Sequence, residues 1–149
     1  MNVAELCTRE VIIVEQDATV LEAAKLMRQY HVGDLVVTEK RQGASFPIGI
    51  LTDRDIVIEL IAGEVDFDDV TVGDVMSYEL LTVSEEEAIA DTIKLMRDRG
   101  VRRVVVVNKQ GSLEGIVAVD DLIDLLAEQM KDIVSLISCE QKKEQRKCV

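Results

Sequence analysis

The chain has 149 residues, one ordinary domain's worth of polypeptide, enough to bury about 70% of its unfolded surface without disulfide or metal staples. Asp and Glu number 29 against 17 Lys and Arg, giving a net charge of −12, and aromatic residues are 3% with no Trp. The basic surface that grips DNA, RNA or anionic lipid is excluded, and so are the stacking platforms that hold single strands.

The opening Met1-Asn2-Val3-Ala4-Glu5-Leu6 lacks the basic-then-apolar pattern of a leader, and no apolar run reaches the length of a membrane span, so a soluble cytoplasmic protein is expected. A first strand is expected at Val11–Val14. Beyond an acidic turn, Val20, Ala23, Ala24 and Met27 recur at helical spacing, with Thr19 and Glu22 forming a capping box at the start. A strand Leu35–Thr38, a loop from Lys40 to Phe46 containing Gly43, a strand Ile48–Leu51 and a helix from Asp53 to about Ala62 follow.

The order then restarts. A strand Leu80–Val83 precedes a helix carrying Ile89, Ile93 and Met96; a strand Val104–Val107, a turn with Gly111, a strand Gly115–Val119 and a helix from Asp120 to about Ile137 come next. The polar tail from Cys139 to Val149 is expected as frayed helix or coil. Lys25-Leu26-Met27-Arg28 returns 69 residues on as Lys94-Leu95-Met96-Arg97, and Gly49-Ile50 returns 66 residues on as Gly115-Ile116. A duplicated β-α-β-β-α unit explains this: repeat 1 at 1–63, a linker at 64–71, repeat 2 at 72–130 and a helical extension with a polar tail at 131–149. Neither repeat is large enough to bury a generous core alone, so the two are expected to pack face to face in a mixed α/β (α+β) fold.

The paired openings Val3-Ala4-Glu5-Leu6 and Val72-Gly73-Asp74-Val75-Met76, the two Lys-Leu-Met-Arg helix ends, and the stretches Gly49-Ile50-Leu51-Thr52-Asp53-Arg54-Asp55 and Gly115-Ile116-Val117-Ala118-Val119-Asp120-Asp121 resemble the tandem CBS domain, or Bateman module, from about Val3 to Met130. The resemblance implies two repeats about a pseudo-twofold axis, a regulatory role rather than an enzymatic one, and an adenosine-containing ligand (AMP, ADP or ATP, with S-adenosylmethionine or NAD as alternatives) in the cleft between them. No cofactor is required.

The residues can be asked separately what they could do. Thr52 sits where a strand gives way to a helix, so its hydroxyl and the free N–H groups of the first turn could meet a phosphate. Asp55, one turn on, offers two acceptor oxygens to a ribose; Asp121 repeats it in the second copy, where Ala118 replaces the threonine. Thr-x-x-Asp at a helix start is equally a capping box that needs no ligand. The densest basic cluster is Arg97, Arg99, Arg102 and Arg103; the resemblance implies that Arg102 and Arg103, just before a strand, serve phosphates, while Gly33 and Asp34 at the matching place in copy one are expected to contribute no charge, and a solvated helix end is the alternative. The resemblance implies that the residues opening the first strand of each copy, Val11, Ile12, Leu80 and Leu81, line an adenine slot with Ile50 or Ile116 nearby; ordinary core packing is the alternative.

His31, the only histidine, has no nucleophile or carboxylate at telling spacing, the cysteines Cys7, Cys139 and Cys148 form no C-x-x-C pair, and the acidic pairs Asp68-Asp69 and Asp120-Asp121 lack a cation-binding turn. No catalysis, disulfide or metal is expected. The second helix of each repeat is apolar on more than one side, through Ile56–Ile61 and Leu122–Ile137, so a homodimer across these helices is expected, with an unidentified effector protein as a further partner. A dimeric scaffold that binds no ligand is the competing reading.

Overall fold

The computed structural model describes residues 1–147; Cys148 and Val149 lie outside them. Contacts divide the chain into two units, Met1–Val117 and the segment from Ala118 onward.

In the first unit, α1 (Val3–Leu6), β1 (Ile13–Glu15), α2 (Val20–Tyr30), β2 (Asp34–Arg41), β3 (Ala44–Thr52) and α3 (Asp53–Ile56) form the first repeat, and α3 runs straight into a π-helical stretch, Val57–Ile61. A 3-10 turn (Phe67–Asp69) leads to α4 (Val72–Val75), β4 (Thr82–Ser84), α5 (Ile89–Arg99), β5 (Arg103–Val107) and β6 (Leu113–Ala118). Each repeat builds a three-stranded sheet, β1-β2-β3 or β4-β5-β6, in which the first two strands run parallel. The central strands are buried on both faces, Leu35, Val36 and Val37 in one and Val104, Val105 and Val106 in the other, and for that reason they read as unbroken apolar runs rather than alternating ones.

The expected helix α2 forms with both halves of its capping box, Glu22 N–H donating to Thr19 Oγ1 and Thr19 N–H to the Glu22 carboxylate, each at 3.1 Å. It ends at His31, which takes the left-handed conformation (φ 54°) that Gly100 takes at the end of α5. The lone histidine thus stands at a helix-terminating position where glycine would be unstrained.

Several boundaries differ from expectation. β1 and β4 begin at Ile13 and Thr82, because the residues before them contribute single bonds to the ladder, Val36 N–H to Ile12 O at 3.2 Å and Val105 N–H to Leu81 O at 3.0 Å. The loop expected from Lys40 to Phe46 is strand: β2 and β3 continue to Arg41 and Ala44, closed by the two-residue turn Gln42-Gly43, both with positive φ as such a turn requires. The register slips between Val37 and Thr38, beside Pro47, which has no N–H to give.

The repeats exchange their opening segments. Val3 N–H bonds to Glu87 O (2.9 Å) and Val72 N–H to Ala18 O (2.8 Å), so α1 lies on the second repeat and α4 on the first, with Val3 and Val72 fully buried. The chain after α4 then crosses β3 as the bridge Ser77–Ile50, matched by Thr8–Ile116 on the other side. This crossing explains the repeated Gly-Ile: a Cβ on Gly49 would come within 2.8 Å of Ser77 O, and one on Gly115 within 2.8 Å of Thr8 O.

The second unit is α6 (Val119–Lys147), 29 residues long. The tail expected to fray is helical through Lys147, consistent with its helix-favouring Glu, Gln and Lys content. Only Leu122 of this helix is buried, and Ile123, Leu126, Met130, Ile133 and Ile137 are exposed at alternating spacings of three and four. Among the described residues, no helix is long and apolar enough to cross a membrane.

Candidate functional site

Ile50 and Thr52 at the end of β3, Leu80 and Leu81 in the lead into β4, and Arg102 and Arg103 at the head of β5 line one cleft of about 250 Å³, with Ser77, Glu79, Val101 and Val105 completing its walls. The exchange of opening segments is what brings them together, since it lays the chain after α4 across the strand that carries Thr52. A neighbouring cleft of about 380 Å³, lined by Tyr78, Glu79, Leu80, Leu81, Arg99 and Val101, shares four of these residues. The larger volume alone falls within the range of small-molecule sites.

The remaining expected residues lie elsewhere. Asp55 connects to the cleft through Thr52. Ile12 packs against the core of the first repeat, Val11 precedes β1 with its N–H bonded to Arg9 O, and Ile116 pairs with Thr8. Asp121 belongs to α6, where its carboxylate accepts from Ala118 N–H at 2.8 Å. Lacking a threonine, this cap has only one of the two bonds seen at Thr52.

At Thr52 the capping box is complete: Thr52 N–H donates to Asp55 Oδ2 at 2.9 Å and Asp55 N–H to Thr52 Oγ1 at 3.1 Å. Asp53 N–H donates to Gly33 O at 2.9 Å and Arg54 N–H to Asp53 Oδ1 at 2.8 Å. The expectation of free N–H groups in the first turn is therefore corrected, because all four are bonded within the chain. What Thr52 still offers a ligand is its hydroxyl proton.

The expectation that copy one brings no charge beside the arginines is also corrected. Asp34, the counterpart of Arg103, meets it directly, with Nε to Oδ2 at 3.2 Å. Burial pushes the Asp34 carboxyl above its ordinary value; Arg103 pulls it down, and Asp53 adds a smaller upward push. Arg97, counted in the same basic cluster, is turned to Asp98 at 3.0 Å, whereas Arg99 faces the larger cleft.

Sequence reasoning missed Ser77, Glu79 and Asp34. The first two carry no motif and reach the site only through the chain crossing, but Asp34 was visible as the residue 69 positions before Arg103. Among the described residues no group of His, Cys, Asp and Glu is arranged to hold a metal ion.

Residues 3–62 and 72–128 each match the CBS domain. An uncharacterized protein of Methanopyrus kandleri is 34% identical over 125 residues, covering 84% of this chain and 62% of that one, so the chain spans less than two thirds of that relative. A CBS domain-containing protein of Bacillus subtilis is 38% identical over 121 residues, covering 81% of this chain and 82% of that one. Among solved structures, a CBS domain protein from Pyrobaculum aerophilum complexed with AMP superposes with a TM-score of 0.73 at 28% identity, covering 82% of this chain and 90% of that one. Two matched repeats, their exchanged openings and these relatives together establish that the chain belongs to the CBS domain family, as a tandem pair.

Proposed function

We propose that this CBS pair is a regulatory sensor without chemistry of its own, which binds an adenosine-containing ligand of the AMP, ADP or ATP class in the cleft at Thr52 and passes the binding event to a partner protein. The reading is carried by the convergence on one cleft of a threonine hydroxyl and two arginines beside aliphatic walls from Ile50, Leu80 and Leu81. The hydroxyl and guanidinium groups suit a phosphate, and the aliphatic walls suit a purine face. Asp55, with Oδ2 occupied by Thr52, has Oδ1 for a ribose hydroxyl. The AMP complex of the Pyrobaculum relative supports the same ligand class. Asp121 would play the ribose role in the second copy, with a weaker phosphate hold because Ala118 has no hydroxyl.

Binding closes the cleft and changes how the two repeats meet, and a partner that prefers one arrangement reads the change. The assembly proposed is a homodimer formed by the exposed apolar residues Val57, Ile58 and Ile61 and the apolar stripe of α6.

A melting-temperature panel with AMP, ADP, ATP, NAD and S-adenosylmethionine tests the proposal. A ligand that binds only the native state raises the midpoint in proportion to ln(1 + [L]/Kd), and the rise should shrink in Asp55→Ala measured against that variant's own midpoint. No rise with any compound would leave the ligand-free dimeric scaffold as the better reading, a reading that the internally bonded helix start at Thr52 favours.

A further inference from the structure

Arg103 and Thr52, on which phosphate recognition rests, both lie beside one carboxylate. Asp34 contacts Arg103 at 3.2 Å and faces Thr52 directly across the β2–β3 ladder. A second carboxylate stands at the same corner: Asp53 Oδ2 lies 3.1 Å from where a Cβ on Gly33 would be, and it opposes the charge on Asp34. Arg103 is thus already paired with Asp34 before any ligand arrives, and Asp53 adds a second negative charge at that corner. In the adjoining cleft the one lining arginine, Arg99, is matched by Glu79.

Resting on the nucleotide reading above, we propose that Asp34 is a specificity-determining residue that limits the cleft to adenosine ligands carrying at most one phosphate. A first phosphate is met by the Thr52 hydroxyl, by Arg102 and by the terminal nitrogens of Arg103, since Asp34 approaches that guanidinium at Nε. Each further phosphate adds negative charge near Asp34 and Asp53 once Arg102 and Arg103 have met the first, and the one other lining arginine, Arg99, shares its cleft with Glu79. In a partly desolvated cleft such like-charge contacts are weakly screened and act on affinity directly. Asp34 leaves the first phosphate bound and rejects the second and third.

Isothermal titration of the full chain with adenosine, AMP and ATP in metal-free buffer tests this, using wild type, Asp34→Asn and Asp34→Ser. Wild type should bind AMP about tenfold or more tighter than ATP, and both variants should narrow that ratio by about tenfold, chiefly by gaining ATP affinity. An ATP preference in wild type, or the same AMP-to-ATP ratio in all three proteins, would overturn the role of Asp34 and leave the nucleotide site standing. Failure of all three compounds to bind any of the proteins would overturn both.

Discussion

Burial of the Asp34 carboxylate costs the fold. Its carboxyl is raised above the usual carboxylate value chiefly by burial, so the native state binds its proton more readily than the unfolded chain does. The sign follows: stability from this group is fullest below the ordinary aspartate pKa and falls as pH rises through the raised one. Asp34→Asn should therefore melt above wild type at pH 7, with the advantage fading as pH is lowered toward the ordinary value; a constant difference across pH would contradict this. Thr38 is a second costly residue, 1% exposed with no partner for its Oγ1, where the second repeat has Val107. Thr38→Val should raise stability by about 1 kcal/mol in chemical denaturation. His31 at φ 54° is strained where Gly100 is not, and His31→Gly should gain up to about 1 kcal/mol. Asp34 and Thr38 were readable by type, but their environments depend on the opposite strand or repeat, which local pattern does not reach.

The elements set by local chemistry were the legible ones. The capping box at Thr19 and the continuous apolar runs of β2 and β5 follow from short-range rules, and the offset of 69 repeats the apolar run. The strand extension past Lys40 was missed because Gln42, unlike Gly43, is not an expected positive-φ residue. Gly49 was seen as a family mark, yet its physical reason, the passage of Ser77 O within 2.8 Å of where a Cβ would sit, belongs to the exchange between repeats. Gly49→Ala should cost about 2 kcal/mol through overpacking against rigid backbone. Denaturant midpoints would check it, with Gly43→Ala as the comparison: there a Cβ meets nothing within 4 Å, so only the positive φ opposes it.

At the scale of the molecule, the site was half legible. Thr52, Ile50, Leu81 and the two arginines were named from motif, charge and family resemblance, whereas Ser77 and Glu79 join them only because the chain crosses between repeats, and Asp34 stands beside Thr52 on the neighbouring strand. The free face of α6 carries the assembly prediction: exposed Leu126 and Ile133 lie on one stripe, and Ile133→Asp should convert the proposed dimer to monomer in sedimentation equilibrium without changing helix content. A wild-type chain that stays monomeric at all concentrations would contradict it. The most direct measurement is methyl NMR of Ile, Leu and Val residues during titration with AMP. Shifts should be largest at Ile50, Leu80, Leu81, Val101 and Val105, with smaller ones where the repeats meet and the least at Val14 and Leu60 inside the first repeat. Unchanged spectra at saturating AMP, or shifts centred away from these five residues, would mean that the Thr52 cleft holds no adenosine ligand.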